Sequence, residues 1–83
     1  MRLFAAANTL VPAILLLEER GFSVEKRLAG SDELWVARKE SLELVAEDPL
    51  QLLGLTALAE ARGEAWRATD EQIDDVIARF HLA

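Results

Sequence analysis

The 83-residue chain contains no cysteine and no tyrosine, and it has a single histidine. Without cysteine it can form neither a disulfide framework nor a thiolate zinc site, and small secreted domains usually need one of these to fold. We therefore expect a reducing compartment such as the cytoplasm. His81, the lone imidazole, has no partner pattern that would orient it as a general base, and nucleophile-elbow and phosphate-loop motifs are absent. We expect no enzymatic activity, no metal and no cofactor.

Basic residues are also scarce, with nine Lys and Arg against fifteen Asp and Glu and a net charge of −6. Because affinity for a phosphate backbone comes from basic side chains, we expect no nucleic-acid binding and favour a basic protein partner. The apolar stretch 3–17 is interrupted by Asn8, Thr9 and Pro12. It is shorter than the roughly 20 residues of a membrane span, and no small-residue cleavage site follows it, so we predict neither a membrane span nor a signal peptide.

Hydrophobic periodicity and turn residues predict a single α+β domain covering residues 1–83. The predicted elements are a helix over 10–20, strands over 22–28, 34–37 and 42–46, and helices over 49–62 and 70–81. The strands alternate with a period of two and are joined by short turns, which favours an antiparallel meander. The predicted fold is thus α-β-β-β-α-α, with a three-stranded sheet and the helices packed on one of its faces.

The clearest local signals mark the starts of the second and third predicted helices. Asp48, Pro49 and Gln51 supply an acidic N-cap, a proline in the first turn and a cap-completing amide. Thr69 and Gln72 repeat the capping pattern before the third helix. The acids Asp70, Glu71, Asp74 and Asp75 follow, and we interpret them as complementing the helix dipole rather than as a calcium site.

The first two helices are apolar over more of their circumference than a small sheet can cover, which predicts a homodimer or an apolar groove for a partner. On the second helix, small residues share one face: Leu50, Gly54, Ala57 and Ala61. A helical glycine costs about 1 kcal/mol relative to alanine, so we predict that this face packs on the first helix or on a second copy. The alternative is a gap facing a ligand. With close packing, Gly54→Leu should cost roughly 1–3 kcal/mol.

The two tryptophans are candidates for both core and binding positions. Trp66 is predicted to cover the end of the core. For Trp35 we prefer an outer sheet face that binds a partner, and a core position is the alternative. The predicted partner surface consists of Trp35, Ala37, Glu43 and Val45.

Several segments together resemble a pattern in small bacterial domain proteins that have no assigned activity. These segments are Ala46-Glu47-Asp48-Pro49-Leu50, Leu53-Gly54-Leu55, Glu60-Ala61-Arg62-Gly63, Trp66, Thr69-Asp70-Glu71, and Asn8-Thr9 before Pro12-Ala13. The resemblance implies a bacterial cytoplasmic protein, and it carries over no functional residue because the shared positions are caps, turns and core.

Size, acidity and surplus apolar surface together predict a non-enzymatic protein–protein interaction module. Such a module could act like an immunity protein or antitoxin that neutralises a basic target. Two other classes stay open: a structural homodimer or accessory subunit, and a small-molecule binding domain with a pocket between sheet and helices.

Overall fold

The computed structural model describes residues 1–5 and 8–82, and it confirms the predicted α+β fold. The elements, in chain order, are α1 (Leu10–Glu19), β1 (Ser23–Ala29), β2 (Asp32–Lys39), β3 (Leu42–Ala46), α2 (Pro49–Arg62) and α3 (Asp70–Phe80). The strands form an antiparallel sheet in the order β1-β2-β3. Ala29 pairs with Asp32 and Lys39 with Leu42, so that each hairpin has a two-residue turn.

The helix ends follow from local sequence chemistry. Gly21, with a φ of +93°, lets the chain leave α1 while Phe22 N donates to Leu17 O at 3.0 Å. This hydrogen bond is the Schellman type of helix ending, and both of its residues belong to the core. At the start of α2, the Asp48 carboxylate accepts from Gln51 N at 2.9 Å. The predicted cap of the second helix is therefore confirmed.

The start of α3 also confirms the predicted cap. The Thr69 hydroxyl accepts from Gln72 N at 3.1 Å, and the Gln72 side chain accepts from Thr69 N at 2.9 Å. These reciprocal bonds form a capping box, which satisfies two of the amides that the first helical turn leaves without an intrahelical acceptor.

The core lies between the sheet and the helices α1 and α2. It contains Leu17, Phe22, Ala37, Leu44 and Leu52, with Val24, Trp35, Ala46, Leu53 and Leu55 packed around it. The helices α1 and α2 contact each other, α1 contacts β1, and α2 contacts β2 and β3. The helices α1 and α2 therefore cover the face of the sheet that carries Ala37 and Leu44.

The helix α3 has no buried residue among its eleven residues, all of which the structure describes. Its apolar stripe is exposed to solvent, with Ile73 at 42%, Val76 at 37% and Phe80 at 63%. The protein exposes 6689 Å² in total, whereas a folded monomer of this length exposes about 4,900 Å². The radius of gyration of 15.0 Å likewise exceeds the value of about 12 Å for a compact chain of this length. The protein therefore exposes more surface than a compact monomer of this length.

Candidate functional site

An open groove of about 560 Å³ lies between α2 and the edge strand β3. Its floor and walls are mainly apolar, and its lining residues are Leu34, Val45, Ala46, Glu47, Gln51, Gly54, Leu55, Leu58 and Trp66. Volumes of 300–1,000 Å³ with mostly apolar walls are typical of binding sites. We refer to this feature as the α2–β3 groove.

The α2 wall of the groove is open at its centre because Gly54 carries no side chain. A Cβ atom built on Gly54 would meet no atom within 4 Å in the described part of the chain. Leu58, one helical turn further on, is 37% exposed, and Val45 on the strand side is 45% exposed. Apolar groups therefore stand in water along both walls, and burying them would release free energy.

Trp66 closes one side of the groove. It follows the 3₁₀ turn Gly63–Ala65, is half-buried, and also lines a neighbouring hollow with Leu44 and Ala59. The Arg67 guanidinium lies 4.9 Å from the centroid of the Trp66 ring, within cation–π distance. Trp66 is thus a wall of the groove rather than a lid on the core cluster, and the prediction for this residue is corrected.

Carboxylates gather at the Glu47 side of the groove. A smaller polar hollow shares Leu34 and Glu47 with the groove and adds Asp32 and Glu33. Lys26 Nζ lies 3.1 Å from a Glu33 carboxylate oxygen, so one of the three acids is paired. Asp32 and Glu47 form no ion pair with any described residue. This side of the groove is therefore negatively charged.

The four residues of the predicted partner surface do not share one face of the sheet. Ala37 pairs with Leu44 and Trp35 pairs with Ala46, which places both on the face that carries the helices. Ala37 is fully buried, and Trp35 packs against the core cluster. The prediction of a joint outer surface is wrong for these two residues. The core position of Trp35, which the sequence left as the alternative, is the observed one.

Glu43 and Val45 lie on the opposite face, because they pair with Arg38 and Val36. Since β3 is an edge strand, Val45 also borders the α2–β3 groove. Arg38 Nε donates to the Glu43 carboxylate at 2.6 Å, and this hydrogen bond with its Coulomb attraction lowers the pKa of Glu43 and raises the pKa of Arg38. Arg27 and Glu25 form a second ion pair. In register, that pair belongs to the same outer face, so four of the charged side chains on this face form two ion pairs.

The small-residue face of α2 is exposed. Its four residues are Leu50, Gly54, Ala57 and Ala61. Since a Cβ atom at Gly54 would meet no described atom within 4 Å, the prediction that this face packs on α1 is wrong. The overpacking cost of Gly54→Leu stays a prediction for contact with a second copy. Contact of the face with a second copy stays a prediction. Of the four residues, Gly54 is the one that lines the groove.

The residues that build the α2–β3 groove were not singled out together by the sequence. Leu34, Leu58 and Trp66 come from a strand, a helix and a loop, and they meet only through the tertiary fold. The sequence offered one signal of this site. It was Gly54 inside a predicted helix, combined with Trp66 three residues after Gly63, where that helix ends.

Comparisons with protein-family models, with curated proteins and with solved structures found no match to this chain. The resemblance to small bacterial domain proteins consequently stays a prediction. Among residues 1–5 and 8–82, every helix is too short or too polar to cross a membrane.

Proposed function

We propose that this chain is a small non-enzymatic interaction module that binds a basic protein partner, as immunity proteins and antitoxins bind their targets. The observation that carries the proposal is uncovered apolar surface on an acidic chain. Val45 and Leu58 line the same α2–β3 groove and are exposed, while the net charge is −6. Contiguous exposed apolar surface with a charged rim is typical of protein-binding sites. Acidic charge accelerates encounter with a basic partner and disfavours acidic ones.

The proposed setting is the bacterial cytoplasm. The absence of cysteine is typical of proteins that do not depend on an oxidising compartment. The resemblance to small bacterial domain proteins supports the same setting.

The test is affinity capture from the lysate of the native host at low and at moderate salt, followed by binding measurements with the purified candidate. The proposal predicts one basic protein in a stoichiometric complex whose affinity falls as salt rises, because screening weakens exposed charge pairs. A purified complex with an acidic partner, or one whose affinity is independent of salt, would contradict it.

A second candidate function, a structural homodimer, is favoured by the surface of α3. Ile73, Val76 and Phe80 of its apolar stripe are all exposed, and burying this stripe against a second copy would release free energy. Light scattering over a concentration series tests this candidate. Val76→Asp should dissociate such a dimer, whereas Ala78→Asp, which adds the same charge on the other side of α3, should leave it intact.

A further inference from the structure

We infer that the α2–β3 groove binds an amphipathic helix of the partner, with apolar side chains over Gly54 and a lysine or arginine beside Glu47. The inference rests on the proposed function and adds the site and the chemistry of the segment that it receives. It joins two observations. The groove is apolar and has free space beside Gly54 of α2, and unpaired carboxylates lie at one side of it.

The openness of the groove favours a protein segment over a small molecule. Small ligands bind where 70–90% of their surface is enclosed. Here Val45, Gly54 and Leu58 all remain exposed on the two walls. A helix laid along such a groove places apolar anchors at i, i+3, i+4 and i+7 against both walls and covers them together.

Gly54 allows the bound helix to come close to α2. No described atom lies within 4 Å of its Cβ position, so a side chain of the partner can reach the α2 backbone there. This contact gives a physical role to a glycine that makes α2 less stable than an alanine would at the same position. Trp66, on the other side of the groove, supplies a large apolar face of the kind found at binding hot spots.

Charge determines which helix fits. Asp32 and Glu47 have no cationic partner among the described residues, so a bound lysine or arginine would gain attraction without displacing an existing ion pair. The same charge disfavours α3 of a second copy as the occupant. That helix carries four acids against one arginine, and its Arg79 is already hydrogen-bonded to Asp75 at 2.9 Å.

The experiment titrates the ¹⁵N-labelled protein with a designed helical peptide. The peptide carries leucines at i, i+3, i+4 and i+7 and three lysines at one end, and a matched peptide carries three glutamates instead. We expect the lysine peptide to shift the Gly54 amide and the Trp66 indole resonances. We expect the glutamate peptide to bind at least about tenfold more weakly, a difference of about 1.4 kcal/mol.

Two substitutions on α2 provide the matched comparison. Gly54→Leu fills the groove and should weaken binding of the lysine peptide about tenfold or more. Ala57→Leu adds an apolar side chain to the same exposed helix outside the groove lining and should change the affinity less than about twofold. Thermal unfolding of both variants verifies that each one is folded.

Each contrary outcome overturns the inference and leaves the proposed function to its own test. Absence of binding, equal binding of the two peptides, or shifts confined to α3 would show that the groove is not the site. Equal shifts with octylamine alone would identify a site for small amphiphiles. Self-association that Gly54→Leu abolishes would identify a second copy as the occupant.

Discussion

Replacing Gly54 by alanine should stabilise the protein, because the empty position tolerates a methyl group and the helix gains from it. Gly54 lies in the interior of α2, and its φ is not positive, so its backbone has a conformation that alanine also adopts. Alanine there is favoured by about 0.8–1.0 kcal/mol. No steric cost offsets this gain, since a Cβ atom meets nothing within 4 Å in the described residues. The expected net gain in the free energy of unfolding is therefore about 1 kcal/mol.

Gly63→Ala provides the matched control at the end of the same helix. A Cβ atom at Gly63 also meets no described atom within 4 Å, but the φ of this residue is +65°. With its ψ of −148°, Gly63 lies close to a backbone region that is essentially restricted to glycine, and alanine there costs about 1–3 kcal/mol. Both variants add one methyl group that contacts no described atom. Opposite signs of their changes in the free energy of unfolding would therefore isolate the effect of backbone conformation.

Urea unfolding followed by far-UV circular dichroism measures both changes, and thermal unfolding should give shifts of about 4–8 °C per kcal/mol. A loss of 1 kcal/mol or more in Gly54→Ala would refute the reasoning, since it would show that another group occupies the space beside Gly54 in solution. If that loss appears only at high protein concentration, the occupying group belongs to a second copy.

Three further changes test the local physics of the fold. Thr69→Ala should remove the hydrogen bond that the Thr69 hydroxyl accepts from Gln72 N and weaken α3 by about 1 kcal/mol. Because α3 has no buried residue, helicity should fall while amide exchange in the sheet is unchanged. Glu40→Gly should stabilise the second hairpin by about 0.5–1 kcal/mol in urea unfolding, since Glu40 has a φ of +56°. Arg38→Gln should raise the lowered pKa of Glu43, measured by carboxyl chemical shifts. The stabilisation by this pair is complete above the ordinary glutamate pKa of about 4.3 and is lost as pH falls through the lower folded value.

The elements could be predicted from sequence because their signals are local. Asp48 with Gln51 and Thr69 with Gln72 form their caps within four residues, and the observed bonds are those that the spacing predicts. The end of α1 at Gly21 likewise depends on the backbone freedom of one residue. Such signals need no knowledge of the rest of the chain.

The sheet faces could not be predicted because they depend on which face the helices cover and on the exact length of each turn. With a two-residue turn, Trp35 pairs with Ala46 and both lie against the helices. A three-residue turn would have paired Trp35 with Val45, as the predicted partner surface requires. Shifting the register by one residue moves every side chain of a strand to the other face, so a small error in turn length reverses the predicted surface.

The amphipathic pattern of α3 is also ambiguous. A hydrophobic stripe predicts that one side of a helix is buried, but it does not show whether that side packs on the same chain or on another molecule. The stripe of α3 and the α2–β3 groove are both uncovered, so one chain carries two apolar surfaces. Both surfaces are acidic: four acids lie on α3, and carboxylates lie at the Glu47 side of the groove. Like charge opposes insertion of one surface into the other. The two proposed interactions therefore use different surfaces, so a basic helix bound in the groove would leave α3 available to a second copy.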